Sequence, residues 1–270
     1  MSLTALYRQP MLLDRHQHVG KRIRRMTHFG LTGSLNACFL AASEFGEAAK
    51  EYVIGFVLAP EKDAQGRQEI SPVAVFGLRD GENLYLAADG RWDARYIPAF
   101  LRRYPLAYTR GEDGQNSVVV DAASESFNDT EGELLIDPEG QATPFLQDMM
   151  KFMDALEQDA QLTRALCQRL QELDLLKPVQ IDITLADNQK LAASGLMVID
   201  EAKLKALPDA TAGELLRNGA LGILHAHLVS MSNVQRLTDR LLARLPQRPR
   251  EAIAAMETAP TAPLPPSGLA

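Results

Sequence analysis

The chain has 270 residues, 46% hydrophobic and 23% charged, and a net charge of −7. That length can bury a large core in one domain or in two of ordinary size, and the composition is that of a soluble globular protein. The acidic balance argues against general nucleic-acid binding, and the apolar runs are too short and too broken for a transmembrane helix.

The opening residues reach Tyr7-Arg8-Gln9 without the apolar core of a signal peptide. A cytoplasmic location is therefore expected, with association at the cell surface only by a non-Sec route. Residues 3–40 read as short extended pieces separated by Gly20, Gly30 and Gly33. They carry a basic run, Arg15, Lys21, Arg22, Arg24 and Arg25, with His16, His18 and His28 around it. Such a run meets a phosphate, a carboxylate partner or an acidic face of its own fold, and the last is the commoner outcome. Ser43 is placed to cap a short helix over 44–50. Tyr52 to Leu58 is a strand buried on both faces, Pro60–Gln68 a charged loop, and Val73–Leu78 with Leu84–Leu86 a hairpin.

The central stretch Arg91–Tyr108 holds the only Trp and three of the six Tyr among closely spaced Arg. Aromatics and Arg together serve packing and recognition. A short helix over 95–103 sets Tyr96, Phe100 and Arg103 on one side and Arg102 elsewhere. Trp92, Tyr96, Arg102, Arg103 and Tyr104 are the candidate ligand-binding residues, suited to clamping a small anion, a peptide carboxylate or a protein partner. Their alternative role is internal, with each Arg tied to carbonyls and acidic loops.

Strands follow at Leu106–Tyr108, Ser117–Val120 and Leu134–Ile136. Thr143-Pro144 then starts a helix, Thr as N-cap and Pro at the first helical position. Two apolar stripes out of phase predict a kink or two helices near Gln158–Ala160, and Pro178 closes the segment. Val179–Leu185 and Lys190–Ile199 form a second hairpin. A short helix over 200–207, one capped by Thr211 with Glu214, and a long amphipathic helix over 221–245 complete the pattern. The Pro- and Ala-rich tail 246–270 reads as disordered, with one helical turn over 251–257.

No phosphate-binding glycine loop, nucleophile elbow or Cys-x-x-Cys occurs, so no cofactor is expected. Cys38 and Cys167 read as buried free thiols. His225 and His227 lie about 200° apart on a helix and cannot share an ion. His16 and His18 share a face on a strand, and with His28 they are the weak candidates for a metal site.

The segments Tyr96-Ile97-Pro98-Ala99-Phe100-Leu101-Arg102-Arg103-Tyr104-Pro105, Tyr7-Arg8-Gln9-Pro10 and Gly195-Leu196 through Ile199-Asp200-Glu201 occur in order. With Ala226-His227-Leu228-Val229-Ser230-Met231 they resemble the bacterial SapC family over roughly residues 5–245. Leu106 stands where that family carries Phe. The family is named for a surface-layer-associated protein, and the resemblance carries no reaction and no catalytic residues to this chain.

These readings combine into an α+β protein, with a mostly antiparallel sheet from the N-terminal half and helices of the C-terminal half packed on one face. A single domain is expected over 1–245, β-rich to 140 and helix-rich from 141, ahead of the tail. The leading expectation is a non-enzymatic binding or accessory protein, with homo-oligomerisation open. The alternatives are a metal-dependent enzyme built on the N-terminal histidines and a structural surface-layer component.

Overall fold

Two apolar runs build the centre of the molecule. In the computed structural model, which describes residues 6–62, 66–111, 114–184 and 190–245, β4 (Val53–Lys62) and β5 (Gln68–Val75) form an antiparallel hairpin with Val53 opposite Val75 and Leu58 opposite Ile70. Ile54, Phe56, Ala74 and Phe76 are wholly buried, as expected of strands covered on both faces. β3 (Ala37–Phe39) pairs with β5, and the hairpin β10 (Leu176–Thr184) and β11 (Lys190–Ile199) joins beyond β4. The sheet order is β10-β11-β4-β5-β3.

A second sheet takes β1 (Pro10–Leu12), β7 (Asn116–Asp121) and β6 (Leu106–Arg110) in the order β1-β7-β6. A third, minimal one sets β2 (Arg22–Ile23) between β8 (Phe127–Asn128) and β9 (Glu133–Leu134). All pairings are antiparallel. The architecture is α+β: sheets dominate the N-terminal half and helices the C-terminal half.

The helix α3 (Pro144–Glu172) runs from the small sheets to β5. Thr143 caps it, its Oγ1 accepting from the Leu146 N–H at 3.4 Å. The helix is continuous, so the two-helix alternative does not hold. Leu162 faces solvent, and the buried stripe passes instead from Leu156 through Thr163 to Cys167 and Leu170. Thr163 tolerates that position because its Oγ1 accepts from the Ala42 N–H at 2.8 Å and donates to the Asp159 carbonyl at 2.6 Å.

Other local expectations are corrected. β5 begins at Gln68 and pairs with β3 and β4, so 73–78 with 84–86 is not a hairpin. Ser43 donates to Asp159 at 2.7 Å rather than capping, and Glu44 binds the Ala41 N–H at 2.9 Å ahead of α1 (Phe45–Ala48). Pro178 lies inside β10, an edge strand where a missing N–H is tolerated. The capping pattern at Thr211 is inside α5 (Asp209–Arg217), which follows α4 (Glu201–Lys205) and starts after Pro208.

The predicted long C-terminal helix is two, α6 (Ala220–Ser230) and α7 (Asn233–Arg244). Tertiary bonds hold the break. The Ser230 hydroxyl accepts from the Ile54 N–H at 3.1 Å, and the Asn233 amide donates to the carbonyls of Ala49 and Tyr52 at 2.8 and 2.9 Å. Cys38 and Cys167 are buried free thiols. Among the described residues no helix is long and apolar enough to cross a membrane. The Pro/Ala-rich tail with its predicted turn, Glu112-Asp113 and the Asp187–Gln189 turn lie outside the described residues.

Candidate functional site

The stretch around Trp92 divides in two. Its first half is knotted into the core. Trp92 stacks on Tyr85 and meets Phe76 and Phe29 edge-on or tilted, with ring centroids 5.0–6.3 Å apart. Its Nε1 donates to the Tyr52 hydroxyl at 2.8 Å, and that hydroxyl donates to the Tyr96 carbonyl. Tyr96 donates to Glu44 Oε1 at 2.7 Å, the same oxygen that takes the Ala99 N–H at 2.7 Å where α2 (Ala99–Arg102) begins. Glu44 is itself buried. Every polar atom at the base of this half has an internal partner, so Trp92 and Tyr96 pack and brace.

α2 is shorter than expected, and Tyr96 precedes it. Arg102 therefore does not point away from Tyr96. Its guanidinium lies 5.8 Å from the Tyr96 ring and 5.1 Å from Phe152, with Nε donating to the Ile97 carbonyl at 3.0 Å.

Both halves border cavities: Arg95 and the half-buried Tyr96 line a shallow one of about 420 Å³ with Glu47, Lys50, Glu51 and Arg236, and the second half meets two more. Arg103 stacks at 4.5 Å on Phe100 and lines a cleft of about 420 Å³ between the two larger sheets, under α3. Its floor is apolar, including Phe39, Ile70, Met153 and Leu156. Its walls carry Arg110 and the ion pair of Arg164 with Glu69, 3.1 Å apart. Glu157 lines it too. Arg103 Nε is buried with no hydrogen-bond partner, and no carboxylate of the described residues forms an ion pair with this guanidinium.

Two strand edges border the same cleft. The Pro72 carbonyl accepts from the Leu40 N–H at 3.1 Å, so it points away from β4. The Ile54 N–H, bonded to Ser230, fixes the same phase. Antiparallel alternation then turns the N–H and C=O of Ile70 away from β4 as well. Since β3 pairs only with Val73–Val75, that edge lies past the end of β3. On β6 the Pro105 carbonyl accepts from the Asp121 N–H at 3.0 Å, and the Tyr7 hydroxyl reaches the outward carbonyl of Leu106 at 2.7 Å. By the same alternation the backbone of Tyr108 faces away from β7. Ile70 and Tyr108 both line the cleft.

Tyr104 belongs to a different cavity. Its hydroxyl donates at 2.8 Å to Oδ2 of the buried Asp121, and burial pushes its pKa up to about 12, so it remains a donor. Asp121 also accepts from the N–H groups of Arg8, Gln9 and Ala123. Burial opposes its ionisation, but these donors outweigh burial and hold the carboxyl below its ordinary range.

The histidines do not converge. Residues 15–20 form turns rather than a strand, so His16 and His18 share no strand face. His18 is buried, its Nδ1 accepting from the Asp14 N–H at 2.8 Å and its ring against Phe127 at 6.0 Å. Among the described residues no group of three His, Cys, Asp or Glu is placed to hold a metal ion. His227 is buried in the core: Nε2 accepts from the Ile199 N–H at 3.1 Å, and Nδ1 has no partner. Burial pushes its pKa down to about 4.

Sequence reading alone did not find Arg110, Arg164 or the edges at Ile70 and Tyr108. Arg164 sits on the polar side of a helix that looks ordinary in sequence, and a free edge is a property of strand order. The fold and the cleft define an α+β protein with three antiparallel sheets and one long helix that runs from the small sheets to the large one. The SapC family model matches residues 13–237, and the chain belongs to the SapC family. No curated protein and no solved structure matches it.

Proposed function

We propose that this SapC-family chain is a binding protein whose cleft takes an extended peptide segment bearing a carboxylate. The observation that carries the reading is Arg103, which lines a cleft with an apolar floor, stacks its guanidinium on Phe100 and has a buried Nε without a partner. A buried donor left unpaired costs free energy that an incoming carboxylate recovers by a charge-assisted bond. The outward backbone of Ile70 and Tyr108 supports an extended ligand, since strand addition satisfies ladder groups independently of side chains. Specificity then comes from the apolar floor at every second ligand residue.

The experiment is selection of random linear peptides on the full chain, followed by fluorescence anisotropy of the enriched sequences. Acidic or carboxyl-terminal peptides are expected to bind, and Arg103→Gln to weaken them about tenfold or more, the size of one charge-assisted anchor. Peptides that bind wild type and Arg103→Gln equally, or no enrichment at all, would sink the reading.

A further inference from the structure

The basic run 15–25 is split by the fold. Lys21 pairs with Asp129 at 2.7 Å, Arg24 with Glu131 at 3.2 Å, and Arg22 donates to the Gly132 carbonyl at 2.8 Å. One acidic loop between β8 and β9 thus neutralises that part. Arg25, the next residue, lines a pocket of about 180 Å³ that Arg24 and His28 also border, and where Arg8 arrives from the N-terminal segment. Among the described residues neither Arg8 nor Arg25 has an ion pair or a side-chain hydrogen bond.

The base of that pocket offers hydroxyls. Ser124 and Ser126, 7% and 8% exposed, line it beside Tyr104. The Ser124 oxygen accepts from the Ser126 N–H at 3.2 Å and its hydroxyl bonds the Tyr104 side chain, so among the described residues the Ser126 hydroxyl is the donor left for the pocket. The donors come from three separate segments: before β1, after β2, and between β7 and β8.

We infer that the pocket of Arg8, Arg25, Ser124 and Ser126 is a site for a phosphate dianion, free or as the head of a small phosphomonoester. Two unpaired guanidiniums supply the charge and forked donors that phosphate oxygens take. Donors converging from several directions suit a tetrahedral group with three acceptor oxygens better than a flat carboxylate. A volume of about 180 Å³ holds one such group with its remaining hydration. The opposing charge is on the rim: Glu125 lines the pocket and is exposed. Asp121 beneath it is closed off by its own four donors.

The test is titration of the full chain with inorganic phosphate at low salt, read by calorimetry or amide chemical shifts, with acetate and glycerol phosphate as comparators. Saturable phosphate binding is expected. Arg25→Gln should weaken it about tenfold, while Glu125→Gln should tighten it, since removing the rim carboxylate removes repulsion. Arg25 is exposed and unpaired, so its loss leaves the fold intact. Glycerol phosphate binding as well as phosphate marks a phosphomonoester head, and phosphate alone marks the free ion. Non-saturable binding, acetate binding equally well, or phosphate affinity unchanged in Arg25→Gln would overturn the inference. Arg103→Gln leaves phosphate binding unchanged, so this result and the peptide result fail separately.

Discussion

Trp92 and Arg103 come from one short stretch of chain with one composition, yet they meet opposite conditions. The Trp92 half ends in closed bonding: indole to Tyr52, Tyr52 to Tyr96, Tyr96 to Glu44. The Arg103 half ends at a cleft, with a donor atom buried and unspent. His227 Nδ1 is also buried and unspent, but it sits inside the core rather than on a cavity. An unsatisfied atom enclosed in the core is a matter of stability. The same defect beside a cleft is the basis of the binding proposal.

The largest effect that sharpens this contrast is Trp92→Ala. It removes the stacking partner of Tyr85 and Phe76 and should cost about 3–5 kcal/mol of unfolding free energy in denaturant titration. A loss below about 1 kcal/mol would mean that the indole is not a core element.

His227 comes next. Its folded pKa, about 4, lies below the unfolded value near 6.5, so folding favours the neutral ring. The unfolded chain therefore binds the extra proton between those values. Stability is fully present above pH ~6.5 and falls by on the order of 3 kcal/mol as the pH drops towards 4. Urea unfolding across that window should show the loss, and His227→Phe should flatten it. An unchanged slope in the variant would assign the acid sensitivity elsewhere.

The smallest effect belongs to Arg102. Its guanidinium is exposed and stacked between Tyr96 and Phe152, and Arg102→Ala should cost about 0.5–1 kcal/mol without altering peptide affinity. If that substitution abolished peptide binding while Arg103→Gln did not, the two neighbours would have exchanged roles.

Much of the fold was legible where one local rule sufficed. Thr143-Pro144 opens α3, the alternation over 179–185 marks β10, and the apolar contexts of Cys38 and Cys167 give buried thiols. The failures share a cause, which is that a distant partner overrode a local pattern. Ala42 and Asp159 make Thr163 a core residue, so the apparent phase break did not divide the helix in two. Ile54, Ala49 and Tyr52 anchor Ser230 and Asn233, and so divide one amphipathic run into α6 and α7. The candidate site was legible in composition but not in extent. Arg103 and Tyr104 were readable as candidates, and both line cavities. That they face different cavities, and that Ile70 and Tyr108 supply free edges, depends on sheet order.

The most direct measurement is amide hydrogen exchange at Ile70 and Tyr108, with and without an acidic peptide selected on the full chain. Strand addition in the cleft predicts that both amides slow when the peptide binds, at least one of them by about tenfold, and that Arg103→Gln abolishes the protection at the same peptide concentration. Saturating peptide that leaves both amides exchanging at their free rates would contradict the cleft as the binding site.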